Sequence, residues 1–186
     1  MQINIKNMVC ERCIAAVRNI FDLLDVKLEK VQLGVVETVN ELSHQDLDRL
    51  EQGLKTQGFE LLRSQAEILT GQVKNEIVLL IAGLDIAEDF LLSGFLSARF
   101  HKHYTAISKT FSQQENTTLE QYFIHQKVEK VKELLLYGEL TLTEISGKLG
   151  YKSVQHLSSQ FRNITGSSPT DFKSQNRSGR IPLDKI

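Results

Sequence analysis

Leu142-Thr143-Glu144-Ile145-Ser146-Gly147-Lys148-Leu149-Gly150-Tyr151-Lys152-Ser153-Val154-Gln155-His156-Leu157-Ser158-Ser159-Gln160-Phe161-Arg162 carries the same apolar spacing twice. Leu142, Ile145 and Leu149 stand at i, i+3 and i+7; Gly150 to Ser153 interrupt; Val154, Leu157 and Phe161 repeat the spacing. The pattern predicts a helix, a short turn and a second helix. Ser146 and Gly147 are small enough to let the second helix cross the first closely, and Ser153 is suited to cap it. Gln155, His156, Ser159, Gln160 and Arg162 are then expected to project outward, without an acid among them. Such a face suits a major groove, with amides and hydroxyls at base edges and a cation at phosphate. Taken alone, the segment reads equally well as an ordinary amphipathic helix pair.

A duplication separates the two readings. Ile107, Phe111, Asn116, Thr118, Leu119 and Tyr122 are matched fifty positions later by Leu157, Phe161, Gly166, Ser168, Pro169 and Phe172. The matched types have physical sense. Asn116 and Gly166 tolerate the left-handed conformation at which a helix stops, Thr118 and Ser168 can cap the next helix, and Pro169 suits its first turn. Upstream, Leu96 and Phe100 answer to Ile145 and Leu149 at an offset of 49, so the second turn is expected to be one residue longer. Two copies of one helical unit are thus joined by a helix through Gln126 to Leu136.

The run Gly150-Tyr151-Lys152-Ser153 through Phe161-Arg162-Asn163-Ile164-Thr165-Gly166-Ser167-Ser168-Pro169 resembles the signature of the AraC/XylS transcription regulators. The resemblance covers roughly Leu92 to Lys173 and implies two helix-turn-helix motifs on a connecting helix, binding double-stranded DNA. It also implies that Thr105, Ser108 and Lys109 read one major groove and that Gln155, His156 and Ser159 read the next, with Arg162 at phosphate. The first motif departs from the family at His101 and His103, where Gly and Ser are frequent, and the second at Ser159, often Arg. The pair His101 and His103 could suggest a metal, but in a turn before a recognition helix His and Lys are ordinary phosphate or solvent residues.

Residues up to about Ser64 have a different periodicity. Ile3 and Ile5 alternate; Ile14, Val17, Phe21 and Leu24 form a helical face; Val26 to Leu28, and Val31 to Val39 with Gly34 inside, read as two extended segments. Ser43 can cap a helix bearing Leu47, Leu50 and Leu54, which Gly58 ends before Phe59-Glu60-Leu61-Leu62. The order β-α-β-β-α-β is the split plan of ferredoxin-like domains.

The only two cysteines, Cys10 and Cys13, form one C-x-x-C where the first strand gives way to a helix. A helix N-terminus favours thiolate, and two soft thiolates suit Cu(I), whereas tetrahedral Zn(II) would need two further ligands that the local sequence lacks. Met8-Val9-Cys10-Glu11-Arg12-Cys13, with the strand order, is similar to the heavy-metal-associated domain of copper chaperones and metal-pumping ATPases, apart from Asn7 in place of the family's Gly. The resemblance covers about Met1 to Leu62. Metal binding, a redox dithiol, and a domain serving packing or dimerisation with incidental cysteines all remain open. A thioredoxin-like oxidoreductase is disfavoured, because both prolines, Pro169 and Pro182, lie far downstream.

The 186 residues, 41% hydrophobic, suffice for two small cores. A net charge of −1 argues against indiscriminate coating of nucleic acid. From Lys148 to Lys185, however, seven Lys or Arg face two acids, a phosphate-facing composition. No apolar run approaches the roughly 20 residues of a membrane span, and the start lacks the plan of a signal peptide, so a cytoplasmic protein without membrane contact is expected. The expected organisation is α+β: a ferredoxin-like domain over 1–65, a connecting helix over 66–84, an all-α double helix-turn-helix domain over 85–175, and a disordered basic tail over 176–186. No Pro/Gly/Ser-rich linker separates the halves. The expected function is sequence-specific transcription regulation, with Cu(I), less readily Zn, at Cys10 and Cys13, and with a homodimer through the N-terminal domain as one assembly. A metallochaperone-like or protein-interaction role, the helical half binding a partner, is the rival. No phosphate-cradling glycine loop or nucleophile-base-acid set points to an enzyme.

Overall fold

In the computed structural model, which describes residues 1–174 and 180–186, the contacts divide the chain into units Met1–Asn75 and Glu76–Ile186. The first unit is built on the alternation at Ile3 and Ile5, both buried, which makes β1 (Gln2–Lys6) the centre of its sheet. Helix α1 (Glu11–Leu23), strands β2 (Leu28–Gln32) and β3 (Val35–Thr38), helix α2 (His44–Thr56) and strand β4 (Glu60–Leu62) follow. The strands lie in the order β2-β3-β1-β4, every pair antiparallel, with Ile3 opposite Val36 and Ile5 opposite Leu61. Two interleaved β-α-β turns therefore share one sheet, the split arrangement expected from the order of elements. Val17 and Phe21 of α1 and Leu50 and Leu54 of α2 bury completely in the core formed with Ile5 and Val36. Ser43 caps α2 by accepting from the Asp46 N–H at 3.2 Å.

Two strand boundaries differ from expectation. Val26 does not join β2, because its N–H donates back to the Phe21 carbonyl at 3.0 Å and Asp25 is left-handed at φ 54°, so the close of α1 takes up residues 24–26. Gly34 does not lie inside a strand; at φ 76° it belongs to the turn between Gln32 and Val35, which pair with each other.

Helix α3 (Gln65–Ala82) starts with a reciprocal cap between Ser64 and Glu67. Its first part packs within the first unit: Gly71 lies close to Leu62, and the Asn75 amide donates to the Leu33 carbonyl at 3.1 Å. Glu76, in the second unit, pairs with Arg99 at 2.8 Å. The contacts thus assign the 66–84 segment to both units, where a separate connector was expected.

The second unit is all-helical: α4 (Leu92–Phe100), α5 (Tyr104–Glu115), α6 (Leu119–Tyr137), α7 (Leu142–Lys148), α8 (Val154–Thr165) and α9 (Pro169–Ser174). The apolar stripes point inward, with Leu96, Ile107, Phe111, Ile145, Leu157 and Phe161 buried. Thr118 and Thr141 form capping boxes with Gln121 and Glu144, and Asn116 and Gly166 stop α5 and α8 at φ 54° and 78°. Ser146 is buried as the close crossing of α7 and α8 requires, but Gly147 is exposed and a Cβ there would meet nothing within 4 Å. Residues 180–186, expected within a disordered tail, lie instead against α6. Arg180 pairs with Glu133 at 2.8 Å, the Ile181 N–H donates to Glu129 at 3.0 Å, and Gln126 donates to the Leu183 carbonyl at 3.3 Å. The rest of that tail, 176–179, falls outside the described residues.

Candidate nucleic-acid interface

Helices α5 and α8 are the second helices of the two helix-turn-helix units, and through their first two turns they expose the same positions. From Lys102 to Phe111 and from Lys152 to Phe161, offset by 50, the sequence of buried, half-buried and exposed residues is identical. Thr105 and Lys109 are exposed on α5, as are Gln155, His156, Ser159 and Arg162 on α8. Ser108 is only half-buried on the flank of α5, matching Ser158. Gln160, expected to face outward, turns partly inward; its Oε1 is buried without a hydrogen-bond partner among the described residues. Ala106 and Gln113, equivalents of His156 and Asn163, are exposed on the same face. They were missed because a small or uncharged residue gives no chemical signal until the two copies are superposed by burial.

Charge on these faces has one sign. Lys109 and Arg162 are exposed on the two helices, and Lys102 and Lys152 stand at equivalent exposed positions in the two turns. The turns themselves differ. His101 closes α4 in the left-handed region at φ 52°, the conformation Gly150 adopts at φ 64°. Ser153 caps α8 by accepting from the His156 N–H at 3.1 Å, while His103, the N-cap of α5, makes no side-chain cap bond. A left-handed non-glycine residue costs about 1–2 kcal/mol and a missing cap about 0.5–2 kcal/mol. His101→Gly should therefore raise stability by about 1 kcal/mol and His103→Ser by about 0.5–1 kcal/mol, both measured by denaturant unfolding. No gain from either would mean that the imidazoles supply contacts that offset these costs.

Residues 96–175 match a helix-turn-helix domain.

The match is to the family model of that description and lies in the part of the chain that forms α4 to α9. An 80-residue stretch is 30% identical to an uncharacterized HTH-type transcriptional regulator, YdiP, of Escherichia coli K12, covering 43% of this chain and 26% of that protein. A 73-residue stretch is 26% identical to the HTH-type transcriptional regulator ArgR of Pseudomonas aeruginosa, covering 39% of this chain and 22% of that one. The matched stretches span about a quarter of the length of these relatives. The fold is shared with the C-terminal domain of AraT, a response regulator from Geobacillus stearothermophilus, at a TM-score of 0.52 and 20% identity over 60% of this chain and 88% of that one.

Within the helix-turn-helix domain, α6 carries polar groups that contact both motifs. Lys127 is 7% exposed; its Nζ lies 3.7 Å from the centroid of the Tyr151 ring, in the turn of the second motif, and 5.5 Å from that of Phe123. Burial lowers the Lys127 ammonium to about 8, while the ring faces favour its charged form. Tyr151 is raised by burial, and its hydroxyl has no hydrogen-bond partner among the described residues. Tyr104, at the start of α5, donates to Glu120 at the start of α6; burial, then that hydrogen bond and the Glu120 charge raise the phenol, and the bond lowers Glu120. Glu129 and Lys132 pair in the interior of α6.

The cysteine pair lies in the first unit. Cys10 is exposed at the N-cap of α1, Cys13 is half-buried against the core, and their sulfurs are 3.5 Å apart. Burial raises the Cys10 thiol, but bonds from the Cys13 and Arg12 backbone N–H groups and from the Cys13 side chain, with the Arg12 charge, outweigh it and leave a net lowering. Burial dominates at Cys13 and raises it. No third His, Cys, Asp or Glu joins them in a metal-holding group among the described residues, and the same holds for His101 and His103. No helix among them is long and apolar enough to cross a membrane.

Proposed function

We propose that this chain is a sequence-specific DNA-binding transcription regulator of AraC type, acting through both helix-turn-helix motifs and not as an enzyme. The observation that carries the reading is the identical burial of residues 102–111 and 152–161, which with Lys109 on α5 and Arg162 on α8 leaves on each helix an exposed polar face bearing a cation and no exposed acid. The names of the partial relatives, both HTH-type transcriptional regulators, support it. Thr105, Ser108 and Lys109 contact one major groove and Gln155, His156 and Ser159 the next, while Arg162 and the turn lysines hold phosphate. The test is a footprint on DNA selected from a random pool. Two protected segments roughly 10 bp apart on one face are expected from two recognition helices on one connector. Protection of a single short segment would remove α5 from the reading, and no selection of any sequence would favour the rival, a helical half that binds a protein partner.

A second reading rests on the two sulfurs at 3.5 Å, a soft donor pair that fits Cu(I) and, with no third donor grouped with it among the described residues, does not fit tetrahedral Zn(II). Cys10 and Cys13 hold Cu(I), and its presence alters DNA affinity, by no more than the difference in its affinity for two arrangements of the protein. Coupling of about 1–3 kcal/mol corresponds to a change of roughly 5- to 150-fold in affinity. Selected DNA is titrated anaerobically with apo protein, Cu(I)-loaded protein and the Cys10→Ser/Cys13→Ser variant. Three coincident curves would end the sensor reading and leave residues 1–65 a role in dimerisation or partner binding.

A further inference from the structure

We propose that Cys10 and Cys13 are a reversible dithiol–disulfide pair, oxidised by a low-molecular-weight disulfide, whose bond staples the first turn of α1. The inference is independent of DNA binding and of Cu(I), which needs the same sulfurs reduced.

The geometry comes from how this chain begins its helices. An N-cap side chain meets the side chain three residues on at Ser43 with Asp46 (2.6 Å), Thr141 with Glu144 (2.7 Å) and Ser168 with Asp171 (2.6 Å). Cys10 and Cys13 occupy the same two positions of α1, with the Cys13 N–H donating to the Cys10 carbonyl at 2.9 Å. Two thiols thus replace the hydroxyl and carboxylate of a capping box, and α1 has no other side-chain cap bond. Closing the sulfurs from 3.5 Å to a bond of about 2.05 Å is a short movement between two side chains on one hydrogen-bonded turn.

The two sulfurs differ in access. Cys10 is exposed, whereas Cys13 is half-buried against the core of the first unit and has its sulfur 3.9 Å from the Asn7 carbonyl. An incoming disulfide therefore meets Cys10 first. The Cys10 thiolate forms a bond to one sulfur of the small disulfide, breaking its S–S bond and releasing one thiolate. Cys13, deprotonated, then attacks the Cys10 sulfur of the mixed disulfide and releases the second. The protein dithiol loses two electrons and two protons, and the small disulfide gains both as two thiols. The second step is intramolecular between atoms already in contact, so the mixed disulfide does not accumulate in the native chain.

The test uses the full chain, freed of metal with a chelator, in glutathione buffers of rising oxidised fraction, with thiols counted by alkylation and mass spectrometry. Both thiols of the monomer should disappear together, without added glutathione mass. Cys13→Ser should hold one glutathione on Cys10, and Cys10→Ser should react on the order of tenfold more slowly. An oxidised native chain that carries glutathione or is a linked dimer would overturn the proposal. Equal rates for the two variants, in proteins of unchanged circular dichroism, would overturn the order of attack. Failure to bind Cu(I) would leave these results unchanged, so the two readings fall separately.

Discussion

Gly150→Ala should cost the helix-turn-helix domain about 2–5 kcal/mol, a large fraction of a typical small domain's stability. The residue is at φ 64°, which costs a side chain about 1–2 kcal/mol. A Cβ there would lie 2.6 Å from the Ala87 carbonyl oxygen, 2.7 Å from the Ile86 side chain and 2.9 Å from the Ile86 carbonyl oxygen. Those backbone atoms cannot give way freely, because the Ile86 N–H donates to the Lys148 carbonyl at 3.1 Å and Ile86 bridges to Leu149. Overpacking against a fixed wall adds about 1–3 kcal/mol. Gly147→Ala, three residues away on the exposed face of α7 with nothing within 4 Å, should instead stabilise by up to about 1 kcal/mol. Urea unfolding of the two variants reads the contrast. Equal and small shifts would mean that the turn relaxes away from residues 86 and 87.

Gln155→Ala should weaken binding to the preferred DNA site by about 1–3 kcal/mol, or roughly 5- to 150-fold, and relax preference at one or two base pairs. Gln155 is exposed in the first turn of α8, beside the Ser153 cap that fixes where the helix begins. A bidentate amide contact with a base edge accounts for both effects together. Arg162→Ala, one residue after buried Phe161, should weaken all sequences alike and reduce the salt dependence of binding, as loss of a phosphate contact does. Competition titrations with preferred and random DNA at two salt concentrations separate these outcomes. A uniform loss for Gln155→Ala, or altered base preference at intact affinity for Arg162→Ala, would exchange the two roles.

The duplication was the most legible feature, because Ile107/Leu157 and Phe111/Phe161 are core residues whose spacing follows from helical geometry alone. The β-α-β-β-α-β order was legible from the alternation at Ile3 and Ile5 and from the helical faces of Val17 and Phe21 and of Leu50 and Leu54. Less legible was Gly34, since a glycine between two valine runs fits a strand interior or a turn until pairing partners are known. Lys127 was also hidden: it lies in an apolar stripe with Phe123 and Leu134, but a lysine there reads as an interruption until the Tyr151 ring is found above it. At the interface, exposure of Gln155, His156 and Arg162 followed from periodicity. The inward lean of Gln160 did not, because it occupies the helix border where a few degrees of rotation decide burial.

The unequal turns of the two motifs have a dynamic consequence. Helix α5 begins without a side-chain cap and after a strained His101, whereas α8 begins with the Ser153 bond and after Gly150. Local opening free energies follow such differences, and fraying starts where backbone donors lack partners. Amide protons in the first turn of α5 therefore exchange with solvent sooner than their counterparts fifty residues on. The first motif is the adaptable half of the pair and the second its rigid reference, so a ligand that orders α5 pays an entropic cost that α8 has already met during folding.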